Sequence, residues 1–207
     1  GGGISGLTGL VENNSIWLGN DPTSTTDTAS YNVALGTTAL DAITTGDNNA
    51  GLGYNSLTAL TTGAYNVGVG YAAGGGITTG DKNIAIGQNT MAGDTVTADA
   101  NVAVGYRALQ AATSGGANIA IGQDALLANT TGGNNVAVGN LALDANTTAD
   151  NNTAVGVNAL GANTTGSTNT AVGSRSFAAS TTAAGGTAIG DRALTANTTG
   201  NYNTAVG

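Results

Sequence analysis

The feature that most constrains this chain is a short block of residues that returns at a nearly constant interval. The block ends in glycine and reads NTAVG in its C-terminal copies, and twelve such glycines occur along the 207 residues. Ten of the eleven intervals between them are 17 residues long and one is 18. A fixed period in this range is typical of solenoids, in which each repeat stacks on the next. The glycines are Gly19, Gly36, Gly53, Gly70, Gly87, Gly105, Gly122, Gly139, Gly156, Gly173, Gly190 and Gly207.

Numbering each repeat from this glycine as position 0 shows what every position carries. Position −1 is always Leu, Val or Ile, and position −3 is Val, Ile or Ala in the earlier repeats and Thr from Thr153 onward. Position −2 is Ala or Gly from Ala34 to Ala205. Position +4 is mainly Leu, position +6 is Ala or Gly, and position +8 is Thr. The consensus is N-[VIT]-A-[VIL]-G-x-x-A-L-x-A-x-T-T-G-x-x.

Two short alternating patterns, at −3/−1 and at +4/+6, lie in each repeat with glycine near the bends between them. Alternation over a few residues indicates a half-buried strand. A unit of 17 residues is also too short for a pair of helices. We therefore predict an all-β chain, a parallel β-roll or β-solenoid with two strands in each coil. Twelve coils stacked at about 4.8 Å would form a rod roughly 55–60 Å long.

The apolar positions predict which side chains point into each coil. We expect positions −1, −3, +4 and +6 to face inward and to stack as ladders of Val, Ile and Leu. Glycine at positions 0 and +10 suits corners at which a positive φ or a close backbone approach excludes a Cβ atom. The threonine column at +8, with its neighbour at +9, suits ladders of side-chain hydrogen bonds between coils.

The small residues at −2 predict an oligomer. They lie on the face opposite −1 and −3, and a solvent-facing position would be expected to vary toward Lys, Glu, Thr or Asn. Close packing against another backbone would keep them small, so we predict that these residues meet near a shared axis and that Ala137→Glu abolishes assembly. The interface candidates are Ala34, Gly51, Gly68, Ala85, Ala103, Ala120, Ala137, Ala154, Ala171, Ala188 and Ala205.

The two ends of the sequence differ from the central array. Residues 1–14 are predicted to be a connector, and residues 15–36 an irregular first coil that caps the array. Trp17 stands in the otherwise small −2 column, where a large ring would plug the end of the stack. Residues 37–207 form the array of regular repeats, which we expect to continue beyond the given sequence because it ends at a repeat boundary without a capping feature.

One repeat, residues 88–105, has 18 residues instead of 17 and lacks the Thr-Thr-Gly turn. We predict that its extra residue forms a local bulge in the turn around Thr97–Ala100. Such a bulge would leave the register of the following coils unchanged.

Composition excludes several kinds of function. Cysteine and histidine are absent, which removes disulfides, thiolate metal sites and the commonest general base. The 4 Lys+Arg against 12 Asp+Glu give a net charge of −8, which disfavours binding to nucleic-acid phosphates. No apolar run approaches the roughly 18 residues of a membrane span. We predict no catalytic residue, no cofactor, no metal ion and no membrane insertion in this segment.

Three groups of polar or aromatic side chains can each be interpreted in two ways. Solvated turns explain the aspartates better than calcium ligands do, and a repeat column explains the Asn-Thr-Thr sequences as well as glycosylation does. Exposed tyrosines could bind sugars, but covering the backbone of neighbouring glycines is the favoured interpretation. The groups are Asp41, Asp47, Asp81, Asp124, Asp144, Asp150 and Asp191; Asn129, Asn146, Asn163 and Asn197; Tyr31, Tyr65 and Tyr202 at +12 and Tyr54, Tyr71 and Tyr106 at +1.

The blocks NVAVG, NIAIG and NTAVG resemble the head repeat of trimeric autotransporter adhesins of the YadA type. The resemblance covers about residues 31–207. It implies a left-handed parallel β-roll and a homotrimer with small residues near the threefold axis. The repeat unit of that family is usually shorter. The longer A-L-x-A-N-T-T-G portion looks more like repeats in phage tail fibres and related virion proteins.

From these features we expect a non-enzymatic structural and adhesive segment of an extracellular fibre, located on a virion or a bacterial cell surface. A phage tail fibre or virion fibre shaft is favoured over the head of a bacterial adhesin of the trimeric autotransporter type. A polymerising extracellular filament subunit and an ice-binding surface protein are further alternatives. The expected partners are copies of the same chain, as a homotrimer, and a cell-surface glycan or protein receptor.

Overall fold

The computed structural model describes residues 9–12, 14–19 and 28–207. Within these ranges the chain forms thirteen short β-strands, most of them three residues long. The strands are β1 (Gly9–Glu12), β2 (Ser15–Gly19), β3 (Val33–Gly36), β4 (Ala50–Leu52), β5 (Val67–Val69), β6 (Ile84–Ile86), β7 (Val102–Val104), β8 (Ile119–Ile121), β9 (Val136–Val138), β10 (Thr153–Val155), β11 (Thr170–Val172), β12 (Thr187–Ile189) and β13 (Thr204–Val206).

These strands form a single sheet in chain order, in which β2 to β13 are all parallel. Each strand residue pairs with the same position of the next repeat, as Thr153 pairs with Thr170 and Ala154 with Ala171. Because the sequence repeats at a constant interval, equivalent residues of successive strands lie side by side in the sheet. The chain is a parallel β-solenoid with 17-residue coils, as the period predicts.

The prediction of a second strand is wrong for the coils from Gly36 onward, because their positions +1 to +6 form consecutive turns. In the coil from 139 to 156, Leu141 and Leu143 have φ angles of 56° and 51°, and Ala142 N–H closes a local turn on the Gly139 carbonyl. Left-handed backbone at two positions prevents an extended strand. Hydrogen bonding between coils nevertheless continues there, since Leu143 N–H bonds to the Ala159 carbonyl of the next coil at 3.0 Å. We call this part of each coil the turn wall.

The interior of the stack is a thin layer between the sheet and the turn wall. It is lined by positions −4, −2, +3, +4, +7 and +10, so the prediction that +4 faces inward is confirmed. The prediction for −3, −1 and +6 is wrong, because the described residues at these positions are half-buried or exposed, apart from Gly76 at +6. In the coil from 139 to 156 the interior residues are Ala142, Leu143, Asn146, Ala149, Asn152 and Ala154.

The predicted oligomer interface at −2 is also wrong, because these residues face the interior of their own chain. All of them in strands β3 to β12 are buried, and the last is half-buried in the final coil. A side chain enclosed by its own chain cannot contact a partner. The residues are Ala34, Gly51, Gly68, Ala85, Ala103, Ala120, Ala137, Ala154, Ala171, Ala188 and Ala205.

The thickness of the interior explains why position −2 is small. A Cβ atom added to Gly68 would lie 2.8 Å from the Ala73 carbonyl oxygen and 2.9 Å from Leu57 Cγ, both in the turn wall. Any side chain larger than Ala would force the sheet and the turn wall apart. Ala137→Glu is therefore expected to place a carboxylate in the interior rather than to break an outer interface.

A ladder of buried asparagines at position −4 joins successive coils. Asn135 Oδ1 accepts a hydrogen bond from Asn152 N–H at 3.0 Å, and its Nδ2 donates to the Ala149 carbonyl at 2.9 Å and to Asn118 Oδ1 at 3.1 Å. Ser15 begins the ladder, because its Oγ accepts from Asn32 N–H at 2.9 Å. The members are Asn32, Asn49, Asn66, Asn83, Asn101, Asn118, Asn135, Asn152 and Asn169.

The predicted threonine ladder at +8 is confirmed. Thr147 Oγ1 donates to the Thr164 carbonyl at 3.1 Å, and Thr164 Oγ1 donates to the Thr181 carbonyl at 3.0 Å. The same bond starts at Thr44, which donates to the Thr61 carbonyl. The neighbouring threonines at +9 are exposed, so the two adjacent columns have different roles.

The ends follow the sequence analysis in part. Trp17 is buried at the start of the interior and pairs in register with Ala34, as a plug requires. Residues 9–12 of the predicted connector form β1, which pairs antiparallel with β2. Residues 20–27 of the predicted cap lie outside the described residues.

The bulge of the long repeat lies earlier than predicted. Ala100 occupies the regular +12 position, since its N–H bonds to the Asp81 carbonyl of the preceding coil at 2.9 Å. Val96 is buried and pairs with Ile77, which places it at the interior position +7. The extra chain is therefore taken up between Met91 and Val96, where Asp94 and Thr95 are exposed.

We predict that Gly156→Ala destabilises the fold by about 1–3 kcal/mol or more, because φ is 134° there and a Cβ would lie 2.5 Å from the Gly173 carbonyl oxygen. Urea unfolding followed by circular dichroism measures the change. The matched control is Gly133→Ala, whose Cβ would find its nearest atom at 3.2 Å. Equal stabilities of the two variants would contradict the assignment of position 0.

We predict that Asn135→Ala costs about 2–4 kcal/mol, because the Asn152 N–H and the Ala149 carbonyl lose their buried partner. The neighbouring Asn134→Ala is the control, since Asn134 is exposed and Ala117 already occupies that position one coil earlier. Chemical denaturation of both variants gives the comparison. A loss for Asn135→Ala no larger than for the control would show that the ladder contributes little.

Candidate functional site

An apolar surface runs along the outer side of the sheet. We call the side chains at positions −3 and −1 of β2 to β13 the outward sheet face. They alternate with the buried −2 residues, and each is half-buried or exposed; Ile121, for example, is 40% exposed. The exposed members are Ile16, Val33, Leu35, Leu52, Ile86, Ile119, Ile121, Val155, Val172, Ile189 and Val206.

This face is unusually long for an uncovered apolar surface. Twelve strands spaced at about 4.8 Å give the face a length of roughly 50 Å. A contiguous apolar surface is uncommon on a monomeric protein once its area exceeds a few hundred Å². From β10 onward position −3 is Thr, beginning with Thr153, so the face is most apolar in its earlier coils. The sequence analysis missed this surface, because it assigned the same side chains to the interior.

Two columns of tyrosine border the outward sheet face. At +1, Tyr54 and Tyr71 stack on each other in successive coils with ring centroids 5.4 Å apart. Tyr106 in the same column has the Arg107 guanidinium 5.2 Å from its ring centroid. These rings therefore use one another or a neighbouring cation as partners.

The tyrosines at +12 are more exposed, and none of them stacks on another ring among the described residues. Tyr31 is 60% exposed and Tyr65 is 58% exposed, and both have a left-handed backbone with φ near 60°. For Tyr202 the favoured interpretation is supported, because its ring lies directly against the backbone of Gly185. Tyr65 has no such glycine to cover, because the preceding coil carries Asn48 at position +12.

The Asn-Thr-Thr asparagines are poor candidates for glycosylation of the folded chain. Asn129, Asn146 and Asn163 are fully buried at position +7. Asn146 Nδ2 donates to Asn129 Oδ1 at 2.8 Å, so these residues form a second, shorter asparagine ladder. In the earlier coils the same position holds apolar side chains such as Ile43 and Leu60.

Three of the aspartates, Asp47, Asp81 and Asp150, share column +11 and bond to the preceding coil. Asp47 Oδ1 accepts from Ser30 N–H at 2.7 Å, and Asp150 Oδ1 accepts from Gly133 N–H at 2.7 Å. Asp81 does the same for the coil before it. Among the described residues no three acidic, His or Cys side chains come together in a way that could hold a metal ion.

Two further aspartates have pKa values that move in opposite directions. A hydrogen bond from Arg107 Nε, 2.7 Å from Asp124 Oδ1, holds the pKa of Asp124 below its usual range. Burial raises the pKa of Asp144, and its Oδ1 has no hydrogen-bond partner among the described residues.

None of the residues that the structure describes forms a helix long and apolar enough to cross a membrane.

We predict that Asp144→Asn stabilises the chain at neutral pH, because the folded state disfavours the ionised carboxylate. The pKa of Asp144 is raised on folding, so its favourable contribution is complete below the unfolded pKa of about 3.9 and is lost as the pH rises through the folded pKa. The gain from the substitution should therefore grow from acidic to neutral pH. Thermal unfolding of the variant and the parent across this range measures it.

The control for this prediction is Asp124→Asn, whose effect should have the opposite sign. The pKa of Asp124 is lowered on folding, so its contribution is present above the unfolded pKa and is lost as the pH falls. The variant should be less stable than the parent at neutral pH and should approach it in acid. Parallel pH profiles for the two variants would contradict the assigned environments.

Comparisons with protein-family models, with curated proteins and with solved structures found no match to this chain. The resemblance to YadA-type head repeats and to phage fibre repeats therefore rests on the repeated sequence blocks. Membership of either group stays a prediction. The surface that the structure offers for function is the outward sheet face with its bordering tyrosines.

Proposed function

We propose that this chain is a non-enzymatic shaft segment of an extracellular fibre, and that copies of it associate along their outward sheet faces. The observation that carries the proposal is the uncovered apolar face that runs the length of the parallel sheet. Burial of such a surface is the main driving force for association. The side chains at −3 and −1 take the role that the sequence analysis gave to position −2.

The architecture suits a mechanical role. Among the described residues, successive coils from Gly36 onward are hydrogen bonded through the sheet and the turn wall, and most are also joined by the asparagine and threonine ladders. Few backbone groups are left free for a protease to engage, and an elongated stack can hold an attached tip away from a surface. In the part of the chain that the structure describes, the interior positions carry mainly Ala, Leu, Ile and Asn and hold no ionisable side chain.

We also propose that three copies associate and that the coils wind in a left-handed sense, both on the basis of the resemblance to YadA-type repeats. A closed symmetric assembly would cover all copies of the face equally. A virion or tail fibre shaft is favoured over a bacterial adhesin head because of the longer A-L-x-A-N-T-T-G portion. The complete reading frame separates these two, since a membrane anchor indicates an adhesin and a baseplate-attachment segment indicates a phage fibre.

We predict that Ile121→Lys converts the assembly to monomers, because it places a charge in the middle of the outward sheet face. Sedimentation equilibrium should give about three times the 19.7 kDa chain mass for the parent and a single chain mass for the variant. Ile121 is exposed in the single chain, so the fold should persist by circular dichroism.

The control is Thr131→Lys, an exposed position on another side of the coil. It should leave the oligomeric mass unchanged. A parent protein that sediments as a monomer at micromolar concentration would overturn the proposed association, as would assembly that survives Ile121→Lys.

A further inference from the structure

We propose that the +12 column of the first coils is a binding site for an extended β-linked polysaccharide that runs along the stack. The site consists of Tyr31, Asn48, Tyr65 and Lys82, which occupy the same position in four successive coils and are all exposed. It goes beyond the shaft function, because a shaft needs no such side chains at this position. The coils that follow carry no further ring there until Tyr202; their residues are Ala100, Ala117, Asn134, Asn151, Thr168 and Gly185.

The spacing of the two rings carries the inference. Tyr31 and Tyr65 are two coils apart, so their rings lie about 10 Å from each other along the stack. An extended β-linked glucan advances by close to one coil spacing for each sugar and turns its face over with each step. Every second sugar therefore presents the same face, and two rings separated by two coils can stack on two such faces.

The polar members of the site stand at the intermediate coils. The amide of Asn48 lies between the two rings, and the ammonium group of Lys82 follows Tyr65 by one coil. Both groups can donate hydrogen bonds to the hydroxyl oxygens of a sugar that is not stacked on a ring. The column thus alternates an aromatic surface with a donor, in step with the alternating faces of the polysaccharide.

The two tyrosine columns differ in a way that supports this assignment. Tyr54 and Tyr71 occupy adjacent coils and stack on each other, so each covers one face of its neighbour. Tyr31 and Tyr65 have Asn48 between them and are more than half exposed. Tyr71 and Tyr106 at +1 are also two coils apart, but each ring already has a partner, Tyr54 for Tyr71 and the Arg107 guanidinium for Tyr106. Among the described residues neither ring of the +12 pair stacks on another ring, so both can offer a face to a sugar.

The test is an equilibrium titration of the intact protein with cellohexaose, which is extended and β-linked, and with maltohexaose, which is α-linked and helical. We expect saturable binding of cellohexaose and much weaker binding of maltohexaose. Tyr65→Ala should weaken cellohexaose binding by about three- to tenfold. Tyr65→Phe, which keeps the ring, should retain most of the affinity. Tyr202→Ala, in the same column but far from another ring, should leave it unchanged.

A swap variant tests the spacing directly. The double substitution N48Y/Y65N keeps the composition and the charge, and both residue types already occur at this left-handed position. It brings the two rings into adjacent coils, so binding of cellohexaose should fall as far as in Tyr65→Ala. Absence of binding to the parent, equal binding of both sugars, or full affinity in the folded swap variant would overturn the proposal. The oligomeric mass, measured on the same samples, reports on the shaft function separately.

Discussion

The constraint on which the structure depends is that each coil must bond to the next through groups that stand directly above one another. The asparagine ladder at −4 makes this constraint specific, because an Asn side chain such as that of Asn135 bonds to the backbone of the next coil and to the Asn side chain of the preceding one. An insertion or deletion that moved the asparagine out of line would leave the amide and its partners buried and unsatisfied. The single 18-residue repeat keeps the ladder, since its extra chain is taken up between Met91 and Val96, away from Asn101.

The second constraint is the thin interior, and it explains substitutions that look irregular in the sequence. Phe177 replaces Leu at +4 and is fully buried. Its ring fits because Gly186 replaces Asn at −4, where a Cβ would lie 2.3 Å from the ring. The backbone N–H of Gly186 still bonds to Asn169 Oδ1, so the ladder continues to this coil. A larger residue is thus accepted where a neighbour in the interior becomes smaller.

The period, the parallel solenoid, the inward Leu column and the threonine ladder could be predicted, because each depends on residues that recur at one spacing. The direction of the strand side chains could not be predicted from apolarity, because both sets of alternating residues are hydrophobic. The useful signal was Asn at −4. It stands two residues before −2, so both side chains point to the same face of the strand, and its amide needs buried hydrogen-bond partners. The turn wall was also missed, since a left-handed backbone at a residue such as Leu143 is unusual for a side chain other than Gly, Asn or Asp.

The central claim is that position −2 lies inside the coil and position −3 outside it. The chain contains no cysteine, so single cysteines can report on each position. Thiol labelling of Ala154→Cys and Thr153→Cys under native conditions, in the Ile121→Lys background to exclude protection by a partner, is the most direct measurement. The cysteine at 153, which is half-buried on the outer face, should react much faster than the cysteine at 154, which should be protected. Protection at 153 with rapid labelling at 154 would contradict the central claim.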